Sequence, residues 1–316
     1  MSHDILIIYY SGDTAGSNIS KNLREIAGCE MIEDGLWRIE ASKGRCFMIE
    51  SGVPILYLDP GGSDVPGSQG TGMPHARRDF FDKLKNLRIE FDVCIVASKH
   101  RSESARPTLT CHAPGNFSDN KMGGRAQELS IAPAHYISGS LVEIKNIYTE
   151  QIREGAAGIY DISLEVTHHG PTSLQMPVVF VEVGSDMERW QDRFACGVIS
   201  RAIKNIINSN LQQSASSATG ENDVAVGFGG THYAPNFTKA VLKRNISIGH
   251  IMPKYALENI SENSIKPMIV QMIKKTSPEP DFALIDWKGL NSLGKNTITK
   301  ILDDAGVEWK RCDKLV

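Results

Sequence analysis

The chain has 316 residues, 41% hydrophobic and 22% charged, with a formal net charge of −3, which is ordinary for a globular protein and argues against indiscriminate binding of nucleic acid. No apolar run approaches the roughly 18 residues of a membrane span. The six cysteines (Cys29, Cys46, Cys94, Cys111, Cys196 and Cys312) are scattered with no CxxC pair, which excludes a disulfide scaffold and a thiolate-rich zinc ribbon and fits a reducing cytoplasm.

Met1 to Asp4 lead straight into the apolar run Ile5–Tyr10, with no basic flank and no small-residue cleavage site, so a core strand is expected there and not a signal peptide. The turn Ser11–Gly16 lacks Rossmann or P-loop spacing and reads as an ordinary strand-to-helix turn, although a helix N-terminus can cradle an anion. Further short runs rich in β-branched residues are Val53–Leu58, Val93–Ala97, Ile162–Val166, Val178–Val183, Val224–Phe228, Ile246–Ile251 and Phe282–Ile285. Helical patterns fall at about Ser17–Ile26, Arg77–Leu87, Met187–Asn208, Asn236–Arg244, Lys266–Lys275 and Lys295–Ala305. The alternation predicts a three-layer α/β/α fold with a mixed, mostly parallel central sheet. Ser185 with Glu188 has the form of a capping box opening the longest helix. Gly- and Pro-rich residues 60–74 and polar residues 208–222 are expected as surface excursions from a single domain over 1–316.

Six of the nine histidines lie in turn-like segments after predicted strands. These are Lys99-His100-Arg101-Ser102, Thr110-Cys111-His112-Ala113-Pro114-Gly115, Thr167-His168-His169-Gly170-Pro171, Gly229-Gly230-Thr231-His232-Tyr233 and Gly249-His250-Ile251. Ligands of open α/β sheets bind beyond the carboxyl ends of the strands, so sites assemble there from distant segments. A histidine beside Gly and Pro either shapes the loop or serves as a ligand or base; His3, His75 and His135 read as structural. Imidazoles with carboxylates suit zinc, and Glu165 and Glu182 are the acids at hand, Glu182 inside an apolar run where a carboxylate needs a partner. If the strand persists, Glu165 shares its face with His169 and not with His168. No HExxH and no GxSxG is present, and Cys111 beside His112 is a weak case for a thiol nucleophile.

The strings Leu109-Thr110-Cys111-His112-Ala113-Pro114-Gly115-Asn116, Glu165-Val166-Thr167-His168-His169-Gly170-Pro171-Thr172 and Phe180-Val181-Glu182-Val183-Gly184-Ser185 are similar to those of the archaeal and plant type of D-aminoacyl-tRNA deacylase. So are Lys99-His100-Arg101-Ser102, Gly227-Phe228-Gly229-Gly230-Thr231-His232-Tyr233-Ala234-Pro235 and Gly249-His250-Ile251-Met252-Pro253-Lys254-Tyr255, and the likeness runs in order to Asp286-Trp287-Lys288-Gly289. The resemblance implies hydrolysis of the ester joining a D-amino acid to the terminal ribose of tRNA, zinc dependence, and a fold like peptidyl-tRNA hydrolase and the phosphorylase-type hydrolases. From the chemistry of the residues themselves, the metal candidates are His112, His168, His169, His232, His250 and Glu182, and the catalytic candidates His168, His169, Glu165 and His112. A backbone N–H at Gly229–Gly230 is a candidate oxyanion donor. Lys254, Lys288, Lys121 and Arg125 are candidates for tRNA phosphates, with solvated surface charge as the plain reading of each. The expected partner is D-aminoacyl-tRNA, with no membrane and no DNA, for a monomer or small homo-oligomer. Metal-free general-base catalysis, a zinc peptidase or amidase of related fold, and a non-catalytic RNA or metal binder stay open as alternatives.

Overall fold

The computed structural model describes residues 3–60, 73–209 and 223–315. The excursions expected at 60–74 and 208–222 fall, but for their ends, outside the described residues.

In chain order the elements begin with β1 (Ile5–Tyr10), α1 (Thr14–Ile26), β2 (Cys29–Glu33), β3 (Leu36–Ile39), β4 (Cys46–Ser51), α2 (Met73–Leu87), β5 (Val93–Arg101) and β6 (Thr108–His112). The short strands β7 (Gly115–Asn116), β8 (Glu128–Leu129) and β9 (Ala132–Pro133) follow, then α3 (Ala134–Arg153), β10 (Asp161–Leu164) and β11 (Val178–Ser185). Next come α4 (Met187–Trp190), α5 (Arg193–Asn208), β12 (Val224–Phe228), α6 (Pro235–Arg244), β13 (Ser247–Met252), α7 (Lys254–Asn259) and α8 (Glu262–Lys274). The chain ends with β14 (Thr276–Ser277), β15 (Phe282–Ile285), α9 (Ser292–Asp304), β16 (Trp309–Arg311) and α10 (Cys312–Leu315).

An eight-stranded sheet in the order β10-β6-β11-β5-β1-β4-β3-β2 forms the centre. Strands β11, β5, β1 and β4 run parallel, β6 opposes β11, and the β2–β3 hairpin closes one edge. Helices cover both faces, as strand alternation requires. Ile5, Ile7 and Tyr9 of β1 enter the core that holds Ala15, Ile19 and Leu23 of α1, whereas Leu6 and Ile8 enter the core that holds Phe80 of α2. The expected mixed, mostly parallel sheet between helices is thus present. Strands β12, β13 and β15, however, build a separate four-stranded parallel sheet with β16. Helix α3 is sandwiched between the sheets, and Ile248, Ile251, Phe282 and Leu284 share one core with Ile95, Val179 and Val181.

Three local expectations are corrected. Val53–Leu58 is not a strand: Pro54 opens a 3-10 turn over Ile55–Tyr57, because proline cannot donate to a ladder, and the strand is the preceding Cys46–Ser51. The helix expected over Met187–Asn208 is interrupted, since the Asp192 side chain accepts from Phe194 N–H and starts a new helix at Arg193. Its first cap is Asp186, which accepts from Arg189 N–H, while the Ser185 hydroxyl donates to Arg106 O and leaves the capping box unformed.

Candidate active site

Strand alternation sets the floor of the site. Ser98 and His100 share the face of Cys94 and Val96 on β5, and Glu182 shares that of Phe180 on β11. His112 pairs with Phe180 across β6 and β11, and their rings stack at 5.3 Å. Glu165 lies one step beyond the Leu164–Cys111 pair and donates its N–H to Cys111 O, which sets it beside His112.

After Leu164 the chain leaves the strand. Val166 N–H donates to His232 O (3.0 Å), Ala234 N–H to Leu164 O (2.9 Å) and Thr167 N–H to Ile251 O (3.0 Å), so the segment is clamped between the two sheets. His169 adopts φ 49°, a left-handed conformation that a non-glycine residue holds only under constraint. The next residue must be glycine: a Cβ on Gly170 would stand 2.3 Å from Leu56 O and 2.4 Å from Gly124 N. Because the strand ends early, the expected parity fails. His168 is the neighbour of Glu165, with Nε2 3.6 Å from Oε2, and both His168 and His169 turn towards His112, at ring separations of 4.3 and 4.9 Å.

The result is a compact group of imidazoles around two buried carboxylates. His232 Nε2 lies 2.9 Å and His100 Nδ1 3.2 Å from Glu165 oxygens; His100 Nδ1 and His112 Nε2 lie 3.6 and 3.7 Å from Glu182 Oε2. Tyr233 OH is 3.0 Å from His100 Nε2. Burial pushes both carboxyls up, but the neighbouring imidazoles outweigh it and hold Glu165 and Glu182 below the ordinary carboxylate range. Burial likewise opposes charge on His100 and His112, and here the two glutamates win and raise both. Burial and the nearby His112 charge lower His168 well below its usual value and His169 to about 4.

The donor set fits a divalent cation. The Nδ1–H groups of His112, His168 and His169 donate to Ala113 O (3.1 Å), Val166 O (2.8 Å) and Gly170 O (2.7 Å), the outer clamp that aims a free Nε2 inward. His112 Nε2 and both Glu165 oxygens are buried without a hydrogen-bond partner of good geometry, although His232 Nε2 comes within 2.9 Å of Glu165. Orphaned buried acceptors of this kind call for a partner. Three overlapping sets have ligand atoms within 4.8 Å of one another: His112 with His168 and His169, His100 with Glu165 and His232, and His112 with Glu165 and Glu182.

A cavity of about 610 Å³ opens over this group. His100, His168, His169, His232 and Glu182 line its floor, Ile55, Leu56, Phe117 and Met122 an apolar wall, and Tyr255 its mouth. Of the candidates read from sequence, His112, His168, His169, His232, Glu165 and Glu182 are brought together. His250 is not. Its Nδ1 meets the Thr167 hydroxyl (3.1 Å) and its Nε2 meets Ser130 O (3.0 Å), so no nitrogen is left for a metal, and burial lowers its pKa to about 4. Gly229 N–H donates to Met252 O (2.8 Å), and neither Gly229 nor Gly230 lines the cavity, which removes the expected oxyanion donor. The Cys111 thiol donates to Ile137 O and burial pushes its pKa far up, so it is no thiolate nucleophile. His3 meets Tyr136 OH, His135 meets Ser247 Oγ, and His75 is exposed.

Lys254, Lys288, Lys121 and Arg125 are all exposed and none lines the cavity. Lys254 lies 3.5 Å from Glu258, Lys121 2.9 Å from Asp119 and Arg125 3.8 Å from Glu128. The cations that do line it, Lys99 and Arg101, were not singled out from sequence, nor were Asp13 and Tyr233. Sequence context does not separate ligand from structural residue at His100; the length of β5, which runs on to Arg101, carries it into the site.

The family model for D-aminoacyl-tRNA deacylase matches residues 87–310. A D-aminoacyl-tRNA deacylase of Methanococcus maripaludis (strain C5) is 39% identical over 222 residues, 70% of this chain and 82% of that protein. The deacylase of Methanocaldococcus jannaschii is 37% identical over 224 residues, again 70% and 82%. That of Methanosarcina acetivorans is 34% identical over 310 residues, 96% of this chain and 91% of its own. A crystal structure of a conserved protein of unknown function superposes with a TM-score of 0.76 at 27% identity, covering 99% of this chain and 96% of that one. The matched region contains every member of the histidine–glutamate group, and on that breadth of likeness the chain belongs to the D-aminoacyl-tRNA deacylase family.

Proposed function

We propose that the protein hydrolyses the ester between a D-amino acid and the terminal ribose of tRNA, releasing free amino acid and reusable tRNA in the cytoplasm. The observation that carries this is the buried group of imidazoles and carboxylates, with its orphaned acceptors, at the floor of a cavity large enough for an aminoacyl ribose. The names of the relatives supply the substrate class. Zinc is the metal this donor set suits; His112, His168 and His169 would hold it, with Glu182 beside His112 to complete the set. When bound it supplies Lewis acidity and makes a water acidic enough to react near neutral pH. Glu165, its oxygens free of hydrogen bonds, takes the proton of the attacking water. His232 is the most exposed imidazole of the group, its side chain 35% accessible, and its Nε2 hands a proton from Glu165 to the departing ribose oxygen. Glu182 holds His100 and His112 in place from below. Lys254, Lys288, Lys121 and Arg125, all exposed, are the cations proposed to meet the tRNA backbone.

A metal-free mechanism is the second reading, favoured by one feature: His100 and His112 can neutralise the carboxylates as imidazolium ions without any metal. One experiment addresses both readings. Matched D- and L-aminoacyl-tRNA are incubated with purified protein, with and without chelator. Rapid release of the D-amino acid alone, abolished by chelator and restored by zinc, is expected. Equal rates on the two enantiomers would leave a general esterase, and full activity in chelator would leave histidine base catalysis.

A further inference from the structure

The cavity holds a third buried carboxylate outside the histidine group. Asp13, 7% exposed, follows β1 at the mouth of α1 and lines the cavity. Gly16 N–H donates to its Oδ1 (2.9 Å), while Lys99 N–H (3.0 Å) and the Ser98 hydroxyl (3.3 Å) donate to Oδ2. Gly16 makes this approach possible, because a Cβ there would stand 2.6 Å from Ala97 O. Among the described residues Asp13 forms no salt bridge, whereas Glu165 and Glu182 lie against imidazoles and Asp119, also in the cavity wall, pairs with Lys121. Burial raises its pKa despite these hydrogen bonds and the Lys99 charge, and the Glu182 charge raises it further.

We propose that Asp13 receives the α-ammonium of the aminoacyl group and thereby decides which enantiomer reacts; the assignment rests on the deacylase reading above. The spacing supports it. Ser98 pairs with Glu182 across β5 and β11, about 4.8 Å apart as neighbouring strands are. In an amino ester the nitrogen sits about 2.5 Å from the carbonyl carbon, two bonds away. A charge-assisted hydrogen bond adds about 2.8 Å, for a reach of about 5.3 Å from an Asp13 oxygen. An ammonium on Asp13 therefore has a reach comparable to one strand spacing, in the direction of Glu182, whose charge also acts on Asp13. With nitrogen and carbonyl both fixed, the side chain and the α-hydrogen exchange places between enantiomers, and one enantiomer alone directs its side chain to the apolar wall of Pro54, Ile55 and Leu56.

Asparagine keeps the cap on Gly16 N–H and removes the negative charge, but its amide then faces Lys99 N–H, so the ratio between two substrates and not stability carries the test. Rates are measured for wild type and Asp13→Asn on D-aminoacyl-tRNA with a free amine and on its N-acetyl derivative, which carries no positive charge. Wild type should favour the free amine at least tenfold in kcat/KM. Asp13→Asn should bring that ratio close to one by losing rate on the free amine while the N-acetyl rate is kept, and its D-over-L preference should narrow in parallel. A wild-type ratio near one overturns the assignment without recourse to any variant, and so does an unchanged ratio in Asp13→Asn. A wild type that releases neither substrate overturns the deacylase reading itself, and this assignment with it.

Discussion

If the histidine group binds zinc in the folded state only, added zinc must raise the melting temperature, and the size of the rise can be worked out. At a free concentration one hundred times the dissociation constant, linkage contributes about 2.7 kcal/mol. Unfolding entropy near 2.1 cal/mol/K per residue over 316 residues is about 0.66 kcal/mol/K, so the melting temperature should rise by roughly 4 °C. His112→Ala and His169→Ala should lose most of that rise, since each removes a nitrogen whose Nδ1 is already committed to a carbonyl. His250→Ala is the control. It leaves the Thr167 hydroxyl and Ser130 O without their buried partner, a loss of about 1–3 kcal/mol, so it should melt lower yet keep the full zinc increment. Thermal melts with metal titration, together with metal content by mass spectrometry, read all three variants. A wild type that shows no shift, or ligand variants that shift as much as wild type, would refute the metal assignment.

Three further predictions follow from single contacts. Tyr233→Phe removes the hydroxyl 3.0 Å from His100 Nε2 and should lower kcat/KM about fivefold, an effect of about 1 kcal/mol, without loss of bound metal. Lys254→Ala should weaken tRNA binding and reduce the slope of log affinity against log salt by about one, because Lys254 is 48% exposed beside the mouth residue Tyr255; an unchanged slope assigns it to ordinary surface. Asp4 is held below its ordinary pKa first by the Arg45 side-chain hydrogen bond, so its stabilisation is present above the unfolded pKa near 3.9 and is lost as pH falls through the lower folded value. Arg45→Ala should therefore be less stable than wild type at neutral pH, with the gap in denaturation midpoint closing below about pH 4.

Strong local patterns were legible. Ile5–Tyr10, Val224–Phe228 and Phe282–Ile285 are strands at the bounds their apolar runs suggest, since burial on both faces leaves no polar interruption. Helix α3 was not read at all: Pro133 precedes it and Ser138, Gly139 and Ser140 weaken its first turns, so only the stripe Ile137, Leu141, Ile144 and Tyr148 marks it. Which strands pair was also out of reach, because periodicity gives a strand its faces but not its neighbours, and the second sheet went unseen. The site divides in the same way. Histidines at strand ends pointed to His112, His168, His169 and His232, while His250 has the same sequence context and a different fate. What separates them is the position of Thr167 and Ser130, a tertiary fact. Asp13 looked like a turn residue, and only the approach of α1 to β5 puts it in the cavity.

The same division bears on how the molecule should unfold. His100, His112 and Glu182 stand on the central sheet, His232 on the turn after β12 in the second sheet, and the Glu165–His169 segment is hydrogen-bonded to both. Neither sheet can move without separating His232 from Glu165. The two sheets also share one core through α3, so the second sheet has little to gain by opening alone. Activity, helical circular dichroism and the fluorescence of Trp287 and Trp309, which stack at 5.8 Å on the second sheet, should therefore be lost at the same urea concentration. Replacing Trp37 and Trp190 by phenylalanine isolates that fluorescence. If the signal of Trp287 and Trp309 changed at lower urea than the circular dichroism, the second sheet would be an independent unit. The expected single domain would then divide in two, with the active site at a movable junction.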